Sequence, residues 1–191
     1  MDVTDYGLDD FVADVRGAAD ANPEPADAVL AVAPLMHRLL CGDRAFLRPE
    51  HFRDDPAHYA RNAIHIGADG GFSLYALVWN PGQWTPVHDH GTWGVVGVVR
   101  GVLEERNFIR VDHDDDKDHG IVLKRGGVIL LTEGTVTTFV PNPDHIHRTG
   151  AAAEREQVVS LHLYGRTMNH FHTYDVDAGT RTLIDVAHNE S

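Results

Sequence analysis

Pro81-Gly82-Gln83-Trp84-Thr85-Pro86-Val87-His88-Asp89-His90-Gly91-Thr92-Trp93-Gly94-Val95-Val96-Gly97-Val98-Val99-Arg100-Gly101 is the stretch on which the reading of this chain turns. His88 and His90 stand two residues apart. On a strand, side chains at i and i+2 leave the same face, so both imidazoles can reach one metal ion. A His-x-His pair alone is weak evidence, because it recurs by chance. Its setting adds weight: the chain holds 14 histidines in 191 residues, and two clusters, His88/His90 and His145/His147, fall in strand-like sequence.

Working outward, short apolar runs at residues 72–79, 93–99, 102–111, 121–124, 128–131, 136–140 and 158–164 alternate with turn residues. The breaks carry Asn80-Pro81-Gly82, Arg100-Gly101, Gly126-Gly127, Glu133-Gly134 and Pro141-Asn142-Pro143, and the acidic stretch 112–118 reads as a solvated hairpin loop. Many short strands at such intervals predict an all-β barrel or jelly roll. Upstream the period changes. Leu8, Phe11, Val12 and Val15 recur at helical spacing, with Thr4 or Asp5 as cap. A second helix is expected over 26–40, where Pro34 kinks it or opens a new one, and a third over 49–53. With no repeat or linker, residues 1–191 are expected to form one domain, a helical segment (1–62) packed on a β-barrel (63–191).

Composition narrows the functions. Hydrophobic residues make up 42% and charged residues 24%, which fits a globular protein with a real core. With 16 Lys+Arg against 29 Asp+Glu, the formal charge is -13, a poor surface for nucleic acid or an anionic membrane. No apolar run is long enough to span a bilayer, and the acidic start shows no signal peptide. Cys41, the single cysteine, suits a reducing cytoplasm. Oligomeric state is not legible.

Gly82, His88-x-His90 and Gly101 resemble the first motif of the cupin superfamily, a double-stranded β-helix. That motif normally places a glutamate three or four residues after the second histidine, and here Gly94 stands in its place. A third ligand is then expected near Pro141-Asn142-Pro143-Asp144-His145-Ile146-His147, from either His145 or His147. Three neutral imidazoles leave a divalent metal its full charge and about three open positions, favouring anionic ligands such as a thiolate. Imidazoles alone do not choose among iron, nickel, copper and zinc. Without the motif, these histidines would read as ordinary buried or surface residues. His37, His51, His58, His65, His113, His119 and His188 are expected to be solvated.

Ser160, His162 and Tyr164 alternate with Leu161 and Leu163, so on a strand the polar trio shares one face. On an interior face they must pair, which predicts a hydrogen-bonded chain; on an edge strand they would simply meet water. Here the sequence resembles the thiol dioxygenases, which include cysteine dioxygenase and 3-mercaptopropionate dioxygenase. The resemblance lies in Tyr59-Ala60-Arg61-Asn62, Pro81-Gly82-Gln83, the stretch from His88 to Gly94, His147-Arg148 and Ser160-Leu161-His162-Leu163-Tyr164, and spans about residues 58–175. It implies Fe(II) held by His88, His90 and His147, with His147 preferred over His145 because the family pairs its ligand with arginine. It also implies a Ser160–His162–Tyr164 relay, in which His162 matters without touching iron. No cysteine–tyrosine crosslink is expected, because Gly94 occupies the crosslinking position.

The implied reaction joins a small thiol acid and dioxygen to give a sulfinic acid. Arg61 matches the arginine that anchors the substrate carboxylate in cysteine-type members, whereas the wording around His88 resembles the mercaptopropionate branch. Arg166 is a second candidate anchor. The substrate stays open among cysteine, 3-mercaptopropionate and related mercapto acids. The alternatives are a cupin oxygenase acting on a non-thiol substrate and, further off, a non-catalytic ligand-binding cupin.

Overall fold

The computed structural model describes residues 6–68, 70–112, 117–141 and 145–190. Helix α1 (Leu8–Ala21) turns Phe11 and Val15 inward. Its N-cap is Gly7, whose N–H donates to the Asp10 carboxylate at 3.2 Å; the expected caps Thr4 and Asp5 lie outside the described residues. Helix α2 (Pro25–Cys41) opens on a proline, whose missing N–H is free of cost in a first turn, and runs through Pro34 without ending. It buries Val29, Val32, Met36, Leu39 and Leu40. A short 3-10 turn (Pro49–Phe52) follows.

Strands then take over. β1 (Ala60–Ile66), β2 (Ser73–Trp79), β9 (Val158–Tyr164), β4 (Gly94–Arg100) and β7 (Val136–Phe139) form a five-stranded antiparallel sheet in that order. The second sheet runs β11 (Thr180–Asp185), β10 (His170–Asp175), β3 (Val87–His88), β8 (Ile146–Gly150), β5 (Val102–Arg110) and β6 (Leu123–Thr132). This is the all-β double-stranded β-helix of the cupins, with helices on one side.

The five-stranded sheet is buried on both faces. Its outer face puts Leu74, Ala76, Val78, Leu161 and Leu163 into one core with Val32, Met36 and Leu40 of α2. Close approach is needed here: a Cβ on Gly97 would lie 2.6 Å from Leu40 Cδ1. The inner face turns Tyr75, Leu77, Trp79 and Tyr164 into the barrel. Strand β9, hydrogen-bonded on both sides and fully buried, is therefore no edge strand, and its polar trio lies inside.

Three expectations are corrected. The helical segment does not reach residue 62: it ends at Phe52, and β1 starts at Ala60, which puts Arg61 on a strand. Gly126-Gly127 is not a turn between two strands. It sits inside β6, at the register shift between Arg106 and Phe108, as a bulge. His51 is buried rather than solvated; its ring accepts the Arg48 N–H at 3.2 Å. His113, most of the 112–118 loop and the Asn142-Pro143-Asp144 stretch lie outside the described residues. Among the described residues, no helix is long and apolar enough to cross a membrane.

Candidate metal centre

Two neighbouring strands of the six-stranded sheet bring three histidines together. β3 pairs with β8 so that His88 stands directly opposite His147, and His90 follows where the chain leaves β3. The ring centroids of His88, His90 and His147 form a near-equilateral triangle, 4.7, 4.8 and 4.9 Å on a side. One ligating nitrogen from each lies within 4.8 Å of the others.

Tautomers follow from the partners. His88 Nδ1 faces the Pro86 carbonyl at 3.1 Å, and His147 Nδ1 faces a Glu105 carboxylate oxygen at 3.1 Å. Both partners only accept, so both Nδ1 atoms carry hydrogen and both Nε2 lone pairs are free. His147 Nε2 and His90 Nδ1 are buried without a protein partner. Orphaned buried polar atoms cost about 1–3 kcal/mol each unless something occupies them. Burial, then the neighbouring imidazoles, pushes His88 and His90 well below the ordinary histidine range. Burial lowers His147 as well, against the pull of Glu105. The three rings are neutral at pH 7 and offer lone pairs. A divalent metal fits this donor set.

His145 is not part of the triangle. Its Nε2 lies 3.3 Å from the other Glu105 oxygen, and its ring stacks on Phe139. Phe139 also explains the glycine at the cupin glutamate position. Its ring stacks on His90 with centroids 4.1 Å apart, and a Cβ on Gly94 would run into it. Phe139 fills the space a carboxylate ligand would need.

The relay is assembled on β9. Ser160 Oγ lies 2.9 Å from His162 Nε2, and Tyr164 Oη lies 3.2 Å from His162 Nδ1. Trp79 Nε1–H donates to Ser160 Oγ at 2.9 Å. Trp79 only donates, so Ser160 Oγ accepts there, and the Ser160 hydroxyl hydrogen is assigned to His162 Nε2, which makes the chain run one way. His162 then carries hydrogen on Nδ1 and donates to the Tyr164 oxygen. Burial drives His162 down to about 3, and burial raises Tyr164 above the ordinary phenol range. Both stay neutral at pH 7, and the Tyr164 O–H is left to point into the cavity.

That cavity, about 20 Å³, lies between the histidine triangle and the relay, with Arg61 and Tyr59 in its wall. By volume it holds about one water. Tyr59 and Arg61 also line an outer vestibule of about 770 Å³ that reaches Trp84, Arg148 and His188, so they stand between the two. Arg61 pairs opposite Leu77; its Nη2 donates to the Met168 carbonyl at 2.6 Å, while Nη1 is buried without a partner. Arg166 is not brought to this cavity. Its guanidinium donates to the carbonyls of His90 (3.0 Å) and His170 (2.7 Å), tying the end of β9 to the histidine loop.

Sequence reasoning missed Trp79, Glu105, Phe139 and Asp89. Asp89 is buried between His88 and His90 in the chain and accepts from Tyr174 Oη (2.8 Å) and the His172 ring (3.1 Å), locking the loop to β10. Inward parity along β2, with Tyr75, Leu77 and Trp79 on one face, was the available signal for Trp79.

Two facing antiparallel sheets with three neutral imidazoles converging on the inner wall define a cupin with a candidate metal centre. Residues 33–177 match the family described as Cysteine dioxygenase type I, and the chain belongs to that family. It is 24% identical over 167 residues to Cysteine dioxygenase type 1 of Rattus norvegicus, covering 78% of this chain and 80% of that protein. The Homo sapiens protein of the same name is 25% identical over the same length. Among solved structures, an uncharacterized conserved protein with a double-stranded beta-helix domain from Klebsiella pneumoniae superposes with a TM-score of 0.45 at 15% identity, covering 72% of this chain and 93% of that one. Family membership makes the protein an oxidoreductase.

Proposed function

We propose that the protein is a mononuclear non-heme iron dioxygenase that converts a small thiol acid and dioxygen to the sulfinic acid. The reaction, R–SH + O₂ → R–SO₂H, balances with no other reductant: sulfur loses the electrons that dioxygen gains. The observation that carries this reading is the meeting of three features in one cavity: the histidine triangle, the Tyr164 hydroxyl and the orphaned Nη1 of Arg61.

Fe(II) held by His88, His90 and His147 would supply open positions for a thiolate and dioxygen, favoured by a charge that no protein carboxylate neutralises at the metal. The chain's own residues do the rest. Arg61, fixed by one N–H to the Met168 carbonyl, offers the other to the substrate carboxylate, which sets the thiol's reach. Tyr164, oriented through His162, Ser160 and Trp79, presents a proton to an oxygen on the substrate side. Leu77, Met168 and Phe171 line the cavity's apolar wall and keep bulk water out. We place the reaction in a reducing cytoplasm, where the lone Cys41 stays a thiol.

The test is anaerobic reconstitution with Fe(II), then oxygen admitted to separate vials of cysteine, 3-mercaptopropionate and mercaptosuccinate. Sulfinate formed at one dioxygen per thiol is the expected result. Iron retained with no thiol oxidised in any vial would overturn it in favour of a non-thiol oxygenase.

A further inference from the structure

Glu105 is a buried carboxylate for which the reaction above has no use. It lies on β5 with the inward parity of Leu103, while its neighbour Glu104 pairs with Arg106 at 2.7 Å. Its two oxygens are divided between two imidazoles: Oε2 is 3.1 Å from His147 Nδ1 and Oε1 is 3.3 Å from His145 Nε2. Those two nitrogens are 3.2 Å apart, and with an accepting carboxylate oxygen beside each, both N–H groups are assigned to Glu105.

We propose that Glu105 is the positioning residue of the metal centre, supplying through His147 the negative charge that Gly94 withholds from the metal itself. This rests on the reading that His88, His90 and His147 hold iron. A carboxylate accepting the Nδ1–H of a ligating histidine fixes its tautomer and makes its other nitrogen a stronger donor. His145, sharing the same carboxylate, draws off part of that effect and so tunes it. The centre thus keeps all its open positions for substrate and oxygen, while a negative charge sits one imidazole away from the metal.

The experiment measures Fe(II) affinity by chelator competition and the Fe(III)/Fe(II) midpoint potential by anaerobic titration, in the wild-type holoenzyme, Glu105→Gln and His145→Leu. Glu105→Gln, which keeps the shape and loses the charge, is expected to weaken Fe(II) binding by about 10–100-fold and to raise the potential. His145→Leu, at a half-buried position and with no donor, leaves Glu105 to His147 alone and is expected to lower the potential. A merely structural role would not move the potential in opposite directions. Should Glu105→Gln fail to fold, an unchanged potential in His145→Leu overturns the proposal by itself. Two metal ions per wild-type chain, one lost in His145→Leu, would also overturn it, marking the Glu105–His145–His147 cluster as a second metal site. A wild type that binds no iron would sink the underlying reading instead, and the proposal with it.

Discussion

Along Trp79, Ser160, His162 and Tyr164 the tryptophan at one end can only donate, and a neutral His162 gives a hydrogen to one of its two neighbours and takes one from the other. The consequence is separable from metal binding. Ser160→Ala is expected to leave iron content unchanged and to lower kcat by about tenfold, within the range for groups acting through a neighbour. Iron content and steady-state kinetics on one preparation check it; loss of iron would mean that Ser160 is holding the barrel rather than the relay. At Gly94 the constraint is space. Gly94→Ala drives a methyl into Phe139 and through it against His90, which should cost about 1–3 kcal/mol as overpacking. A melting temperature lower by several degrees, with weaker iron binding, is the expected readout.

At the scale of elements, β9 shows why part of the site was legible. Its alternation of Ser160, His162 and Tyr164 with Leu161 and Leu163 has one meaning once the strand lies between a helical layer and a barrel interior. The histidines of β3 and β8 were legible because His-x-His spacing is local. β1 was not: Ala60-Arg61-Asn62-Ala63-Ile64-His65-Ile66 has no clean apolar period, because its polar groups are satisfied by distant partners. Asn62 donates to the carbonyls of His51 and Arg53, and Arg61 to that of Met168. Likewise Glu105 looks like any charged strand residue until β5 is laid beside β8. Arg61 stood ahead of Arg166 only through the family resemblance, and of the two the strands bring only Arg61 to the cavity wall. Arg61→Gln is therefore expected to raise KM for thiol acids by about 10–100-fold, the worth of a charge-assisted hydrogen bond, and to flatten the preference among them. Arg166→Ala is expected to loosen the His90 loop and weaken iron retention without changing the order of substrate preference. Substrate profiles of the two variants side by side are the check, and a changed order in Arg166→Ala would contradict the assignment.

The whole molecule stores an unusual amount of neutral histidine. Burial is the largest cause lowering His51, His65, His88, His90, His147 and His162, the last to about 3. In the unfolded chain these groups titrate near 6.5. Above that pH neither state binds their protons, and they leave stability unchanged. Below it the unfolded state takes up protons that the folded state refuses, so stability falls as pH drops, for His162 down to about 3. Carboxylates, with ordinary values near 4, stay ionised above about pH 5 and add little there. The metal-free protein is thus expected to hold a steady melting temperature from pH 8 to 6.5 and to lose it steeply between 6.5 and 5. Metal binds the folded state alone and should lift the whole curve, most strongly at the upper end, where protons compete least for the same lone pairs. Melting curves across that range, with and without Fe(II) under argon, test this. A flat metal-free profile down to pH 5 would mean that the histidines already carry their protons in the folded barrel, and the triangle would then repel a cation rather than receive it.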